Sequence, residues 1–101
     1  NNKGFKKMIE VNQYKLKKLI EAVQLTEHNL IEVENWCGGS IKGTMLPINE
    51  RVIDIQVYSG EIRAEIGDFI IKDESSRNKF KILKEFDFNQ MFEEDKNDCE
   101  N

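Results

Sequence analysis

One proline, one histidine, two cysteines and no long apolar run set the first limits on this 101-residue chain. Two distant cysteines, Cys37 and Cys99, and the lone His28 cannot supply the four ligands of a structural zinc site or a disulfide framework. Both thiols are expected to be free, and neither a metal nor a cofactor is expected. No stretch approaches the roughly 20 apolar residues of a membrane span, and no short apolar core follows the N-terminal lysines as a signal peptide requires. A cytoplasmic, membrane-free setting is the expectation. Phosphate-cradling glycine loops, the dinucleotide fingerprint and the serine elbow are missing from the sequence as well, which removes the commonest nucleotide-hydrolysing and acyl-transfer chemistries.

What is present is charge, 34% of residues, with a net of −4 that argues against DNA or RNA as a partner. The charge is segregated. Residues 1–20 hold six lysines against Glu10, whereas residues 85–101 hold seven acids against Lys96. The length allows one domain, read as residues 1–94 with 1–13 as an N-terminal extension and 95–101 as a disordered acidic tail. A chain this short buries about 60 to 65% of its unfolded surface, so a homodimer or higher homo-oligomer is expected to add stability.

Phe5, Met8, Ile9, Leu16, Leu19, Ile20 and Val23 fall on helical spacing, which draws an amphipathic helix from Gly4 to Val23. Alternation around Leu19, Val23 and Leu25 equally suits a strand ending at Thr26. Thr26 reads as a helix cap, with the helix running to Trp36 and Leu30, Ile31, Val33 and Trp36 on its apolar side. In "NWCGGSIKG" a glycine closes that helix in the left-handed conformation, and Trp36 is expected to pack under the strand that follows. "RVIDIQVYSGEIRAEI" reads as a hairpin turning at Ser59-Gly60, pairing Ile55 with Ala64, Val57 with Ile62 and Ile53 with Ile66 on one apolar face. Gly67-Asp68 turns into the strand "FIIK", residues 73–78 form a polar loop, and "KFKIL" is a further strand. Asp87 is expected to cap a short final helix with Phe88, Met91 and Phe92 inward. The fold class is therefore α+β: a small antiparallel sheet, a meander able to curl toward a barrel, with one packed helix and a short C-terminal helix.

Among candidate chemistries, Cys37 lacks a base and an electropositive setting, so an inert thiol is the simpler reading. Glu61 and Glu65 flank Arg63, which is expected to neutralise them and the cross-strand Asp54. Arg51, Arg63 and Arg77 are nevertheless the only guanidinium groups, and a phosphate ligand favours such bidentate forks. Tyr58 and Phe86 fall opposite the apolar stripes, able to stack a base or pack at an interface.

Taken together, "KKLIEAVQLTEHNLIEVENWCGGSI", "GEIRAEIGDFIIK" and "KFKILKEFDFNQMFE" resemble a family of small phage and prophage proteins. Its pattern runs strand, short helix, WCGG (Trp36 to Gly39), glycine-aspartate-aromatic-Ile-Ile-Lys (Gly67 to Lys72) and a closing segment on Lys84, Phe88, Phe92 and Glu93. Phe92 stands where that family has tyrosine, and the 73–78 loop is longer and lacks its glycines. The resemblance implies a strand over Lys18 to Leu25 and leaves Phe5 to Val11 open. The chain also looks like the phage Thoeris anti-defence sponges, small β-rich oligomers that sequester cyclic ADP-ribose signals without degrading them in the host bacterial cytoplasm. On that reading Arg51, Arg63 and Arg77 face phosphates, Phe69 or Phe86 stacks on a base, and Asn89 hydrogen-bonds a base or ribose. The competing expectation is a phage inhibitor or virion accessory factor that binds a protein.

Overall fold

A computed structural model describes residues 11–14 and 20–92. The chain is α+β, with β1 (Glu21–Gln24), α1 (Leu30–Cys37), β2 (Ser40–Lys42), β3 (Val52–Val57), β4 (Gly60–Glu65), β5 (Phe69–Lys72), β6 (Phe80–Leu83) and α2 (Glu85–Met91). A single 3-10 turn, Ile48–Glu50, precedes β3. The strands form two antiparallel three-stranded sheets, ordered β1-β5-β6 and β2-β3-β4, and no closed barrel forms among the described residues. The strand alternative at the end of the N-terminal segment is realised in β1, while most of the helix drawn from Gly4 lies outside the described residues. So do residues 95–101.

Alternation explains both sheets. In the first, Val23, Ile70 and Ile82 stand opposite one another and face the core, and Ile70 is fully buried. Phe69 lies on the reverse face, covered by α2, whose Phe88 ring stacks on it at 3.8 Å. In the second, Ile41, Ile53 and Ala64 align on the core face, as do Ile55 and Ile62. Helix α1 sends Leu30, Val33 and Cys37 into the apolar cluster that both sheets share.

The hairpin register differs from the sequence reading. Ile53 pairs with Ala64, Ile55 with Ile62 and Val57 with Gly60, so the two-residue turn is Tyr58-Ser59 and not Ser59-Gly60. Gly60 takes φ 143°, a value that strains any L side chain, and so opens β4 directly behind the turn. Asn78 fixes that turn from outside, accepting the Ser59 N–H at 3.0 Å and donating to its hydroxyl at 3.1 Å. Each β3 residue thus pairs two positions earlier on β4 than expected. The side-chain period is two, so the apolar face survives the correction.

Helix α1 also starts later than expected. Thr26 does not cap it; its hydroxyl accepts the His28 N–H at 3.2 Å inside a tight turn, and Asn29 is the residue that precedes the helix. Gly38 closes α1 at φ 70°, as the glycine pair suggested. Trp36 anchors α1 to the first sheet, not under β2: it meets Phe80 edge-on at 5.8 Å and carries the Lys72 ammonium over its ring at 5.7 Å. Its position on the helix points a quarter turn away from the Leu30, Val33, Cys37 stripe, toward β5 and β6. At the other end, Asp87 sits within the first turn of α2, and the extended Lys84 precedes the helix. Phe88 and Phe92 pack as expected, whereas Met91 is exposed.

The two sheets are joined at Asp68. Its buried carboxylate accepts the Glu65 N–H at 2.8 Å and the Lys84 ammonium at 2.9 Å, and its carbonyl accepts the Leu25 N–H at 2.9 Å. That hydrogen bond to Asp68 raises the Lys84 pKa above its ordinary value.

Candidate functional site

Two segments that the core leaves outward build one open groove. The first is the turn before α1, where Asn29 Oδ1 accepts the Thr26 N–H at 2.8 Å and Asn29 Nδ2 donates to the Gln24 carbonyl at 3.0 Å. This closed loop of bonds projects Glu27 and His28 into solvent. The second is the connection from β2 to β3. Gly43, at φ 83°, starts a turn closed by the Leu46 N–H on the Gly43 carbonyl at 2.9 Å, and Pro47 leads into the 3-10 turn. Between them lies a cavity of about 630 Å³ whose floor includes Leu30, Ile31, Ile41 and Ile48. Glu27, Glu32 and Glu34 stand on one wall, Thr44 and Arg51 on the other.

Ile31 belongs to this groove rather than to the core. Its spacing predicts a place on the apolar side of α1, yet it is 65% exposed, because the stripe that reaches the core is Leu30, Val33 and Cys37. Met45, Leu46 and Ile48 on the facing connection are exposed too. Four large apolar side chains therefore meet water on neighbouring segments.

The polar groups are unevenly engaged. One oxygen of Glu34 accepts the Ile41 N–H at 2.9 Å, which ties the outer edge of β2 to α1. Arg51 donates from Nε to the Leu46 carbonyl at 3.3 Å and makes no ion pair among the described residues. Glu27 and Glu32 make none either. The groove thus sets three carboxylates against one guanidinium and one imidazole.

The six residues singled out as ligand contacts do not converge. Arg51 lines the groove. Arg63 lies on the opposite side of the second sheet, its fork closed on Asp54 at 2.6 and 3.0 Å. Arg77 covers Tyr58 at 4.9 Å, beside the β3–β4 turn. Phe69 is beneath Phe88, while Phe86 and Asn89 are exposed on α2. Among the described residues no hydrogen bond, ion pair or ring contact joins any two of the six. The sequence reading missed Ile48 and Thr44, which lie in a stretch with neither helical nor strand period. For Ile31 a signal existed: it is one place off the 30, 33, 37 series.

The thiol of Cys37 is buried, its pKa pushed up by that burial, with Sγ 3.9 Å from the Glu34 carbonyl. No cluster of three or more His, Cys, Asp or Glu able to hold a metal occurs among the described residues. No described helix is long and apolar enough to cross a membrane. No model of a known protein family matches the chain, and neither a curated protein nor a solved structure does.

Proposed function

We propose that this chain acts by holding a partner rather than by transforming a substrate, and that it is a small phage inhibitor or accessory protein docking a host protein in the α1/β2–β3 groove, in the bacterial cytoplasm. The observation that carries this reading is that Ile31 and Ile48, which line the groove from its two sides, are exposed, as are Met45 and Leu46 on the same β2–β3 connection, although the core stripe of α1 is separately satisfied. Large apolar side chains left exposed on both sides of one groove mark a surface that is covered in use. The test uses the full chain and its Ile31→Asp variant as bait in bacterial extract. A host protein retained by the first and lost with the second, at unchanged melting temperature, supports docking; a protein retained equally by both defeats it.

Sequestration of a cyclic ADP-ribose-type signal is the second reading, favoured by Arg51 beside a cavity of about 630 Å³, a nucleotide-sized space. The acidic wall opposes a pyrophosphate there. A pocket that also used Arg63, Arg77, Phe86 and Asn89 would require a second copy to gather them. Incubation with cyclic ADP-ribose isomers decides the matter. A raised melting temperature, lost in Arg51→Ala, with intact ligand recovered on heating, would establish the sponge.

A further inference from the structure

We infer that the partner segment taken by this groove is a basic amphipathic helix. The inference rests on the docking reading above and names the chemistry of what docks. Three features of the groove select it. Its floor is apolar on both sides, lined by Ile31 from α1 and by Ile41 and Ile48 from the β2–β3 side, which suits one apolar stripe laid between two walls. Its charge is acidic on the α1 wall, where Glu27 and Glu32 have no ion-pair partner among the described residues. A lysine- or arginine-bearing flank complements that wall, and an acidic one is repelled.

The third feature concerns the backbone. The outward N–H of Ile41, which an added strand would have to use, is already given to the Glu34 carboxylate at 2.9 Å. Strand addition along β2 is thereby blocked, and a helix, whose own backbone bonds are internal, needs nothing from that edge. A symmetric second copy is disfavoured by the same charges, since it would set Glu27 and Glu32 against themselves on a chain of net charge −4.

The test is a fluorescence-anisotropy titration of the full chain with three labelled 15-residue probes. One is a leucine/lysine helix with leucines on a single face, one carries glutamate at every lysine position, and one has the leucine/lysine composition scrambled. The amphipathic basic probe is expected to bind, and the other two to bind at least about tenfold more weakly. Reversing the wall in the Glu27→Lys, Glu32→Lys double variant is expected to weaken the basic probe about tenfold, as is raising the salt from 0.1 to 0.5 M, because exposed charges are screened within about 10 Å at 0.1 M. The Glu61→Lys, Glu85→Lys double variant makes the same change of net charge at two exposed positions outside the groove, and is expected to leave the affinity within about twofold.

Equal binding of the scrambled probe overturns the inference, as does indifference to the Glu27/Glu32 reversal. A doubled mass in solution that excludes the probe overturns it as well, since a second copy then fills the groove. If no probe binds while Ile31→Asp still loses a captured host protein, the docking reading stands and the helix assignment falls.

Discussion

Asp54 shows how one residue can decide between structural and ligand-binding roles for its neighbour. It lies on the polar face of β3, yet is 6% exposed, because Arg63 and Lys42 close over it. The Arg63 hydrogen bonds hold its carboxyl below the usual carboxylate range, outweighing the opposing effect of burial. A folded pKa below the unfolded one means that the stabilisation is complete above the unfolded pKa of about 4 and fades as the pH falls through the depressed value. The urea midpoint of the native chain is thus expected to exceed that of Asp54→Asn at pH 7, with the gap narrowing as the pH drops below about 4. A pH-independent gap would mean that the ion pair is not its source. Arg63→Ala is expected to lower the melting temperature and leave both nucleotide and peptide binding unchanged, since its fork is already occupied. At Cys37 the raised thiol pKa and burial predict slow chemistry: in a Cys99→Ser variant, a thiol-specific chromogenic disulfide reagent at pH 8 is expected to react only as the chain unfolds. Prompt reaction in the folded state would reopen a functional thiol.

At the scale of elements, the two glycines that end α1 do different work. Gly38 needs the left-handed conformation and has open space where a side chain would sit, so Gly38→Ala is expected to cost about 1 kcal/mol from backbone strain alone. A Cβ on Gly39 would lie 2.7 Å from both the Asp54 carbonyl and the Ile53 side chain, so Gly39→Ala must push α1 off β3 and is expected to cost about 1 to 3 kcal/mol. Urea unfolding of the two variants checks the order; a costlier Gly38→Ala would mean that the helix–strand approach is soft. The cysteine-glycine stretch is therefore a cap plus a close contact, and its glycines and helical stop made the cap readable from the residues. Other elements were readable because period two is insensitive to an even shift: the β3–β4 faces were legible although the register was not. The turn of that register is bonded by Asn78, 19 positions beyond Ser59, and no local pattern reports such a bond. The groove was the least legible part. Its β2–β3 wall has no period, and its one patterned residue, Ile31, reads as core until α1 is seen to bury a narrower stripe.

For the molecule as a whole, the question is what makes two three-stranded sheets one cooperative unit. Helix α1 supplies apolar cover to both, but the polar link is local: Asp68 takes hydrogen bonds from Glu65 at the end of β4 and from Lys84 behind β6. The neighbouring Gly67 N–H donates to the Leu25 carbonyl at 2.7 Å, and Gln24 Nε2 donates to the Gly67 carbonyl at 3.0 Å, so the end of β1 closes on the same point. Asp68→Ala leaves the Glu65 N–H without its acceptor and strips Lys84 of its closest counter-charge, at an expected cost of about 3 kcal/mol. If the junction unites the sheets, that loss is shared. Native-state hydrogen exchange at Ile70 in the first sheet and Ile53 in the second is then expected to accelerate together, by roughly a hundredfold. Acceleration confined to Ile70 would show instead that the sheets open independently and that the Asp68 junction stabilises only the first. The groove, built on α1 and the second sheet, would in that case survive the loss of the first, and Asp68→Ala would keep its affinity for the basic helical probe even as the β1-β5-β6 sheet frays.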